Sequence, residues 1–218
     1  MNTHHAFSTR VMASLLALAA SLLTLAVLSK AQAADTPVLG LPAFQAIAFH
    51  GAGQLQVEAG AAQSVSIAGP QAAQSKVSFK VKRGTLYVVQ AGYPWRSGDP
   101  ALRVQVTLPQ LTALTMKGRG RAQVQGLQGG DTQITLVQAS LQARGQVDHL
   151  QVAVDGDSFA DLSQLTAGSA NVTATDGGSA RFRSSTPLVT SVFGVASVSN
   201  AGKQPLRLVV AGQQGRGL

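Results

Sequence analysis

No cysteine occurs anywhere in the chain, which excludes disulfides, a lipid-modified N-terminal cysteine and any thiolate metal site. Stability has to come from packing. Beyond residue 33 no stretch shows apolar residues recurring at helical spacing, which excludes a helical domain. Histidine is scarce: of four in the chain only His50 and His149 lie beyond residue 33. A histidine general base or metal site has almost nothing to draw on. The calcium-binding nonapeptide Gly-Gly-x-Gly-x-Asp is missing as well. Acidic side chains are few, nine against seventeen lysines and arginines.

What is present begins with an address. Arg10 supplies a positive start, residues 11–28 are uncharged and mostly apolar, and Ala31-Gln32-Ala33 offers small residues for cleavage. The pattern predicts a signal peptide over 1–33, with an uncleaved anchor as the competing reading because 18 apolar residues are at the lower edge of a membrane span. Removing it leaves 15 basic side chains against 9 acidic ones, a balance of +6. Such a charge draws a protein to anionic surfaces such as lipopolysaccharide or acidic glycan, or simply keeps an exported protein soluble. The strand pattern predicts no outer-membrane barrel within this sequence.

The strongest signal is internal repetition. Five segments align at spacings of 16 to 20 residues: Gly120/Ala122/Val124, Ala139/Leu141/Ala143, Ser158/Ala160/Leu162, Gly178/Ala180/Phe182 and Gly194/Ala196/Val198. An earlier copy, Gly53/Leu55/Val57, precedes an interrupting stretch. A coil of 19 or 20 residues has length for three short strands, each pairing with its equivalent in the next coil. Crossover chirality predicts a right-handed winding. The leading small residue would stand at a corner, and the positions between the inward residues, Gln123, Gln142, Asp161, Arg181 and Ser197, would face out in one line. Ahead of the repeat, period-two patterning predicts strands at 44–49, 54–58, 64–68, 77–82, 85–90 and 102–108, with Arg83-Gly84 turning a hairpin. The expectation is an all-β, right-handed parallel β-helix-like solenoid with a strand-rich, partly antiparallel N-terminal cap. Its parts are a linker at 34–43, the cap at 44–110, solenoid coils at 111–211 and a flexible tail at 212–218.

Phe44-Gln-Ala-Ile47, then Phe49-His-Gly-Ala-Gly53-Gln-Leu55-Gln-Val57, Lys82-Arg-Gly84-Thr-Leu86, Val104-Gln-Val106-Thr-Leu108-Pro109-Gln-Leu111-Thr-Ala-Leu114 and the recurring Gly-x-Gly elements such as Gly118-Arg-Gly120-Arg-Ala122 together resemble the bacterial head GIN domain family, described as auto-transporter adhesin heads. The resemblance implies an exported single-domain β-helix-like fold with no defined catalytic set. The chain departs from the pattern at Val137-Gln138-Ala139-Ser140, where a glycine pair is usual, and in its shorter last coil.

Chemistry-bearing constellations are thin. Asp155, Asp157, Asp161 and Asp176 are the nearest thing to an acid cluster; they read as turn residues more readily than as a calcium site. Asp157 and Asp161 have the separation of a glycosidase pair but lie on a flat face without a cleft. His149 follows Asp148, yet neighbours on a strand point to opposite faces, and His50 and His149 read as exposed turn residues. Two contact surfaces are predicted. Lys117, Arg119 and Arg121 project from one side of a coil, with Arg181 and Arg183 extending it, and suit phosphate or carboxylate; an exposed basic turn is the plainer reading. Tyr93 and Trp95 sit on a loop fit to stack on sugar or anchor a partner, or to plug the solenoid end.

The sequence therefore predicts an exported, non-catalytic, adhesin-like binding module of the periplasm or cell surface, without cofactor or metal. Its partners would be an anionic glycan, lipopolysaccharide or an envelope protein, not specific nucleic acid. The alternatives are a carbohydrate-active enzyme using Asp157 and Asp161, or an envelope structural protein without a small ligand.

Overall fold

The computed structural model describes residues 36–38, 40–92, 102–183, 188–192, 196–200 and 206–208. The described residues form an all-β fold, one curled sheet of sixteen strands. The chain opens with β1 (Thr36–Pro37), β2 (Ala46–His50), β3 (Gln54–Ala59) and β4 (Ser64–Ala68). A single helical turn, α1 (Gln71–Gln74), leads to β5 (Val77–Lys82), β6 (Thr85–Gln90) and β7 (Arg103–Leu108). There follow β8 (Ala113–Lys117), β9 (Arg121–Gln128), β10 (Asp131–Val137) and the long strands β11 (Ser140–Asp155) and β12 (Phe159–Ala174). The last are β13 (Ser179–Phe182), β14 (Leu188–Val192), β15 (Ser197–Asn200) and β16 (Leu206–Leu208).

Pairing arranges these strands in two parallel columns. In the first, β6, β2, β8, β10, the second half of β11, the second half of β12, β14 and β16 succeed one another. In the second the order is β7, β3, β9, the first half of β11, the first half of β12, β13 and β15. β11 and β12 each turn from the second column into the first, and the register slips at Ala143/Gly145 and Gln142/Arg144 mark the bend. Antiparallel pairing among the described residues is confined to β1–β4, β4–β7 and β5–β6.

Period-two alternation turns the repeat into continuous rows of buried aliphatic side chains. Leu55, Val104, Ala122, Leu141, Ala160 and Ala180 stack in one, and Ile47, Leu86, Leu114, Ile134, Val152 and Val172 in another. All are at most 3% exposed, and each Val, Leu or Ile so buried contributes about 1.5–3 kcal/mol. The predicted corner column is buried too, at Gly120, Ala139, Ser158 and Gly178. A Cβ on Gly178 would lie 2.3 Å from the carbonyl oxygen of Val154, so backbone approaches there as closely as only glycine allows. Ser158 fills the same corner differently: its hydroxyl donates to the Asp155 carbonyl at 2.6 Å and accepts from the Ala139 N–H at 3.1 Å.

Two features differ from the sequence reading. The interrupting stretch does not interrupt the stack, because β6 and β7 pair on the far side of β2 and β3 while β8 and β9 pair on the near side. The Gly53 copy and the Gly120 copy are therefore direct neighbours. In the last repeat the register is displaced by two residues: Val198, not Ala196, lies opposite Ala180, and Ser199, not Ser197, lies opposite Arg181.

Candidate binding surface

The alternation that sends Ala122 and Val124 inward sends Arg121, Gln123 and Gln125 outward, and the parallel register repeats this on every strand of the second column. One outer row runs Gln105, Gln56, Gln123, Gln142, Asp161, Arg181 and Ser199. Successive members are one strand apart, about 4.8 Å. The Gln105 amide donates to Gln56 Oε1 at 3.4 Å. The flanking row runs Arg103, Gln54, Arg121, Ser140, Phe159, Ser179 and Ser197. On the other flank stand Thr107, Glu58 and Gln125, with the Arg144 guanidinium donating to Gln125 Oε1. A shallow groove of about 300 Å³ lies among Gln56, Glu58, Gln105, Thr107, Gln123 and Gln125. Among the described residues this face thus joins a file of neutral amides to the guanidinium groups of Arg103, Arg121, Arg144 and Arg181, against the carboxylates of Glu58 and Asp161.

Asp161 is the most constrained polar group of the face. Its Oδ1 accepts from the Ser163 hydroxyl at 2.7 Å and the Ser163 N–H at 3.1 Å. The hydroxyl contact above all, with the backbone bond and nearby Arg181 adding to it, holds the carboxyl below its usual range against an opposing effect of burial.

The sequence candidates are placed as follows. Lys117 ends β8 in the first column, opposite His50 and Val137. Arg119 is exposed at the corner, and Arg121 begins β9 in the second column. The Lys117-Gly-Arg119-Gly-Arg121 motif therefore wraps the corner instead of projecting from one side, because the buried Gly120 turns the chain between columns. Arg181 stands in the glutamine row, three strands from the strand of Arg121, about 14 Å away across the stack. Arg183 is exposed just beyond β13. Tyr93 and Trp95 lie outside the described residues.

Both histidines are on strands, not turns. His50 is half-buried at the end of β2, where burial and then the charge of Lys117 push its pKa down. His149 is exposed on β11, and its Nδ1 meets the Ser169 hydroxyl at 2.7 Å. The register puts Asp131 on its other side. Sequence reasoning compared His149 only with Asp148, which instead accepts the Gly130 N–H at 2.7 Å. All three of Asp131, His149 and Ser169 are exposed, and the His149–Ser169 contact ties β11 to β12. Asp155 accepts from the Thr175 hydroxyl at 2.6 Å, while Asp157 is exposed in the turn before β12. Among the described residues no group of three or more His, Asp or Glu side chains is placed to hold a metal ion. No helix among them is long and apolar enough to cross a membrane.

The family model "Putative auto-transporter adhesin, head GIN domain" matches residues 43–203. The chain belongs to this family. No curated protein matches the chain in sequence. Among solved structures, a putative adhesin from Bacteroides fragilis is similar with a TM-score of 0.54 at 15% identity, covering 78% of this chain and 97% of that one; the likeness is one of fold. Putative adhesins from Parabacteroides merdae and Parabacteroides distasonis align with TM-scores of 0.43 each, at 13% and 11% identity. These cover 78% and 77% of this chain and 96% of each of those chains.

Proposed function

We propose that this family member is an exported, non-catalytic, adhesin-like module that contacts anionic envelope polymers through the outer face of its second strand column. The parallel columns support reading the scaffold as a right-handed β-helix-like solenoid, on which equivalent side chains recur one strand apart. The observation that carries the proposal is the file of glutamines flanked by Arg103, Arg121, Arg144 and Arg181. Guanidinium forks suit carboxylate and phosphate groups, and amides along the file can exchange hydrogen bonds with a polymer lying across the strands. The periplasm or the cell surface is the compartment such a polymer implies. The exported protein should be retained by lipopolysaccharide, peptidoglycan or an acidic glycan at low salt. Replacing Arg103, Arg121, Arg144 and Arg181 together by Gln should weaken that retention about tenfold or more. Replacing Lys117 and Arg119, which lie off the face, should change it little. Undiminished retention of the fourfold variant would overturn the assignment of the face.

A further inference from the structure

Charge does not account for Phe159. This ring is 40% exposed in the middle of the same face, and its neighbours in the row are Ser140 and Ser179. Both are too short to cover it, so the strand register leaves an aromatic surface open. Two residues further along β12, on the same face and about 7 Å away, stands Asp161. Its Oδ1 is taken by Ser163, and its Oδ2 accepts no hydrogen bond among the described residues. Gln142 flanks Asp161 on one side and Arg181 on the other.

An open ring, a carboxylate fixed in place, an amide and a guanidinium within one or two strand spacings are the complement of a saturated sugar ring. The apolar C–H face of a pyranose covers an aromatic side chain. Its hydroxyls donate to the carboxylate and amide oxygens and accept from the guanidinium. A purely ionic polymer would use the arginines but gain nothing from Phe159 or Asp161, which repels anions. We infer that Phe159, Asp161, Gln142 and Arg181 form a subsite for one pyranose unit of a glycan. The subsite rests on the proposed binding face and narrows its ligand from anionic polymers to polysaccharides.

The test is retention of the exported protein on immobilised alginate, a linear polyuronate, and on the same polymer after reduction of its carboxylates to hydroxymethyl groups. Stacking and neutral hydrogen bonds survive high salt, whereas exposed ion pairs are screened. The parent should retain a high-salt component on both polymers. Phe159→Ala and Asp161→Asn should lower that component about tenfold, and Phe159→Tyr should keep it. Phe159 is 40% exposed, so its Ala variant should lower the melting temperature somewhat but keep the parent's circular dichroism and cooperative melting, which separates lost recognition from lost folding. Equal retention of the parent and Phe159→Ala on reduced alginate, with alginate binding still arginine-dependent, would overturn the subsite and leave the charged face standing. A parent retained by neither alginate nor its reduced form, yet held by lipopolysaccharide through the arginines, would also overturn the subsite alone. No retention on any of these polymers would overturn the face and the subsite together.

Discussion

Gly126 shows how one residue fixes the bend in β9. It has φ +76, and a Cβ there would sit 2.3 Å from the Ala59 carbonyl oxygen. Gly126→Ala combines left-handed strain with a backbone clash and should cost about 2 kcal/mol or more in urea unfolding. Gln138 is the reverse case: a non-glycine residue at φ 57. Gln138→Gly relieves about 1–2 kcal/mol of strain and loses about 0.5–1 kcal/mol to unfolded-state entropy, so the variant should be more stable by up to about 1.5 kcal/mol. His50 gives the residue-level pH dependence. Burial and Lys117 lower its pKa from the ordinary 6.5, so the unfolded chain takes up this proton first as pH falls. The associated stability is complete above pH 6.5 and is lost on acidification from there through the lowered folded value. Asp161, also lowered, adds stability that is complete above the ordinary carboxylate value of 3.8 and is lost on acidification from there through the depressed folded value. The urea midpoint of the parent should fall between about pH 7.5 and pH 5 more steeply than that of His50→Gln, which carries no such proton.

Among the described residues, β5 is the edge strand beyond the first column, pairing on one side only, with β6. It alternates partly buried Val77, Phe79 and Val81 with exposed Ser78, Lys80 and Lys82. The two lysines keep this edge from templating another strand, so Lys80→Thr with Lys82→Thr should raise self-association in light scattering without changing the melting temperature much. Strands of this kind were legible in the sequence: 64–68, 77–82 and 85–90 were bounded by turn residues and match the observed β4, β5 and β6. Arg83-Gly84 turns the hairpin with positive φ at both residues, 50 and 71, as a type I′ turn requires. The last repeat was misread because both Gly194 and Ala196 are small enough for the corner. A shift of two residues leaves the inward and outward alternation unchanged, so patterning could not choose between the registers. The one-sided placing of Lys117, Arg119 and Arg121 misses the corner for a related reason: alternation along sequence does not carry through Gly118 and Gly120, where the chain changes column.

For the molecule as a whole, chain order and stacking order differ, and this decided how much of the candidate face could be read in advance. Gln123, Gln142, Asp161 and Arg181 were visible as one outward line because they recur repeat by repeat. Gln56, Gln105 and Arg103 were not, since they come from before the repeat and join the line only because the chain lays β7 beyond β3 and then returns. Phe159 gave no signal, for exposure of a ring depends on its neighbours on other strands. The same topology makes equivalent positions unequal in energy. Leu55 and Val198 occupy one inward row, yet β3 lies between β7 and β9 and Leu55 is 0% exposed, whereas Val198 is only partly buried. Truncating a side chain with packed neighbours on both sides leaves a cavity that the flanking strands cannot close. Leu55→Ala should therefore cost about 2–5 kcal/mol. Val198→Ala, removing fewer and more exposed methyl groups, should cost about 1 kcal/mol or less. Urea unfolding of the two variants checks the order: equal losses would mean that β3 does not lie inside the stack, and the reading of the Gln56 and Gln105 positions on the binding face would fall with it.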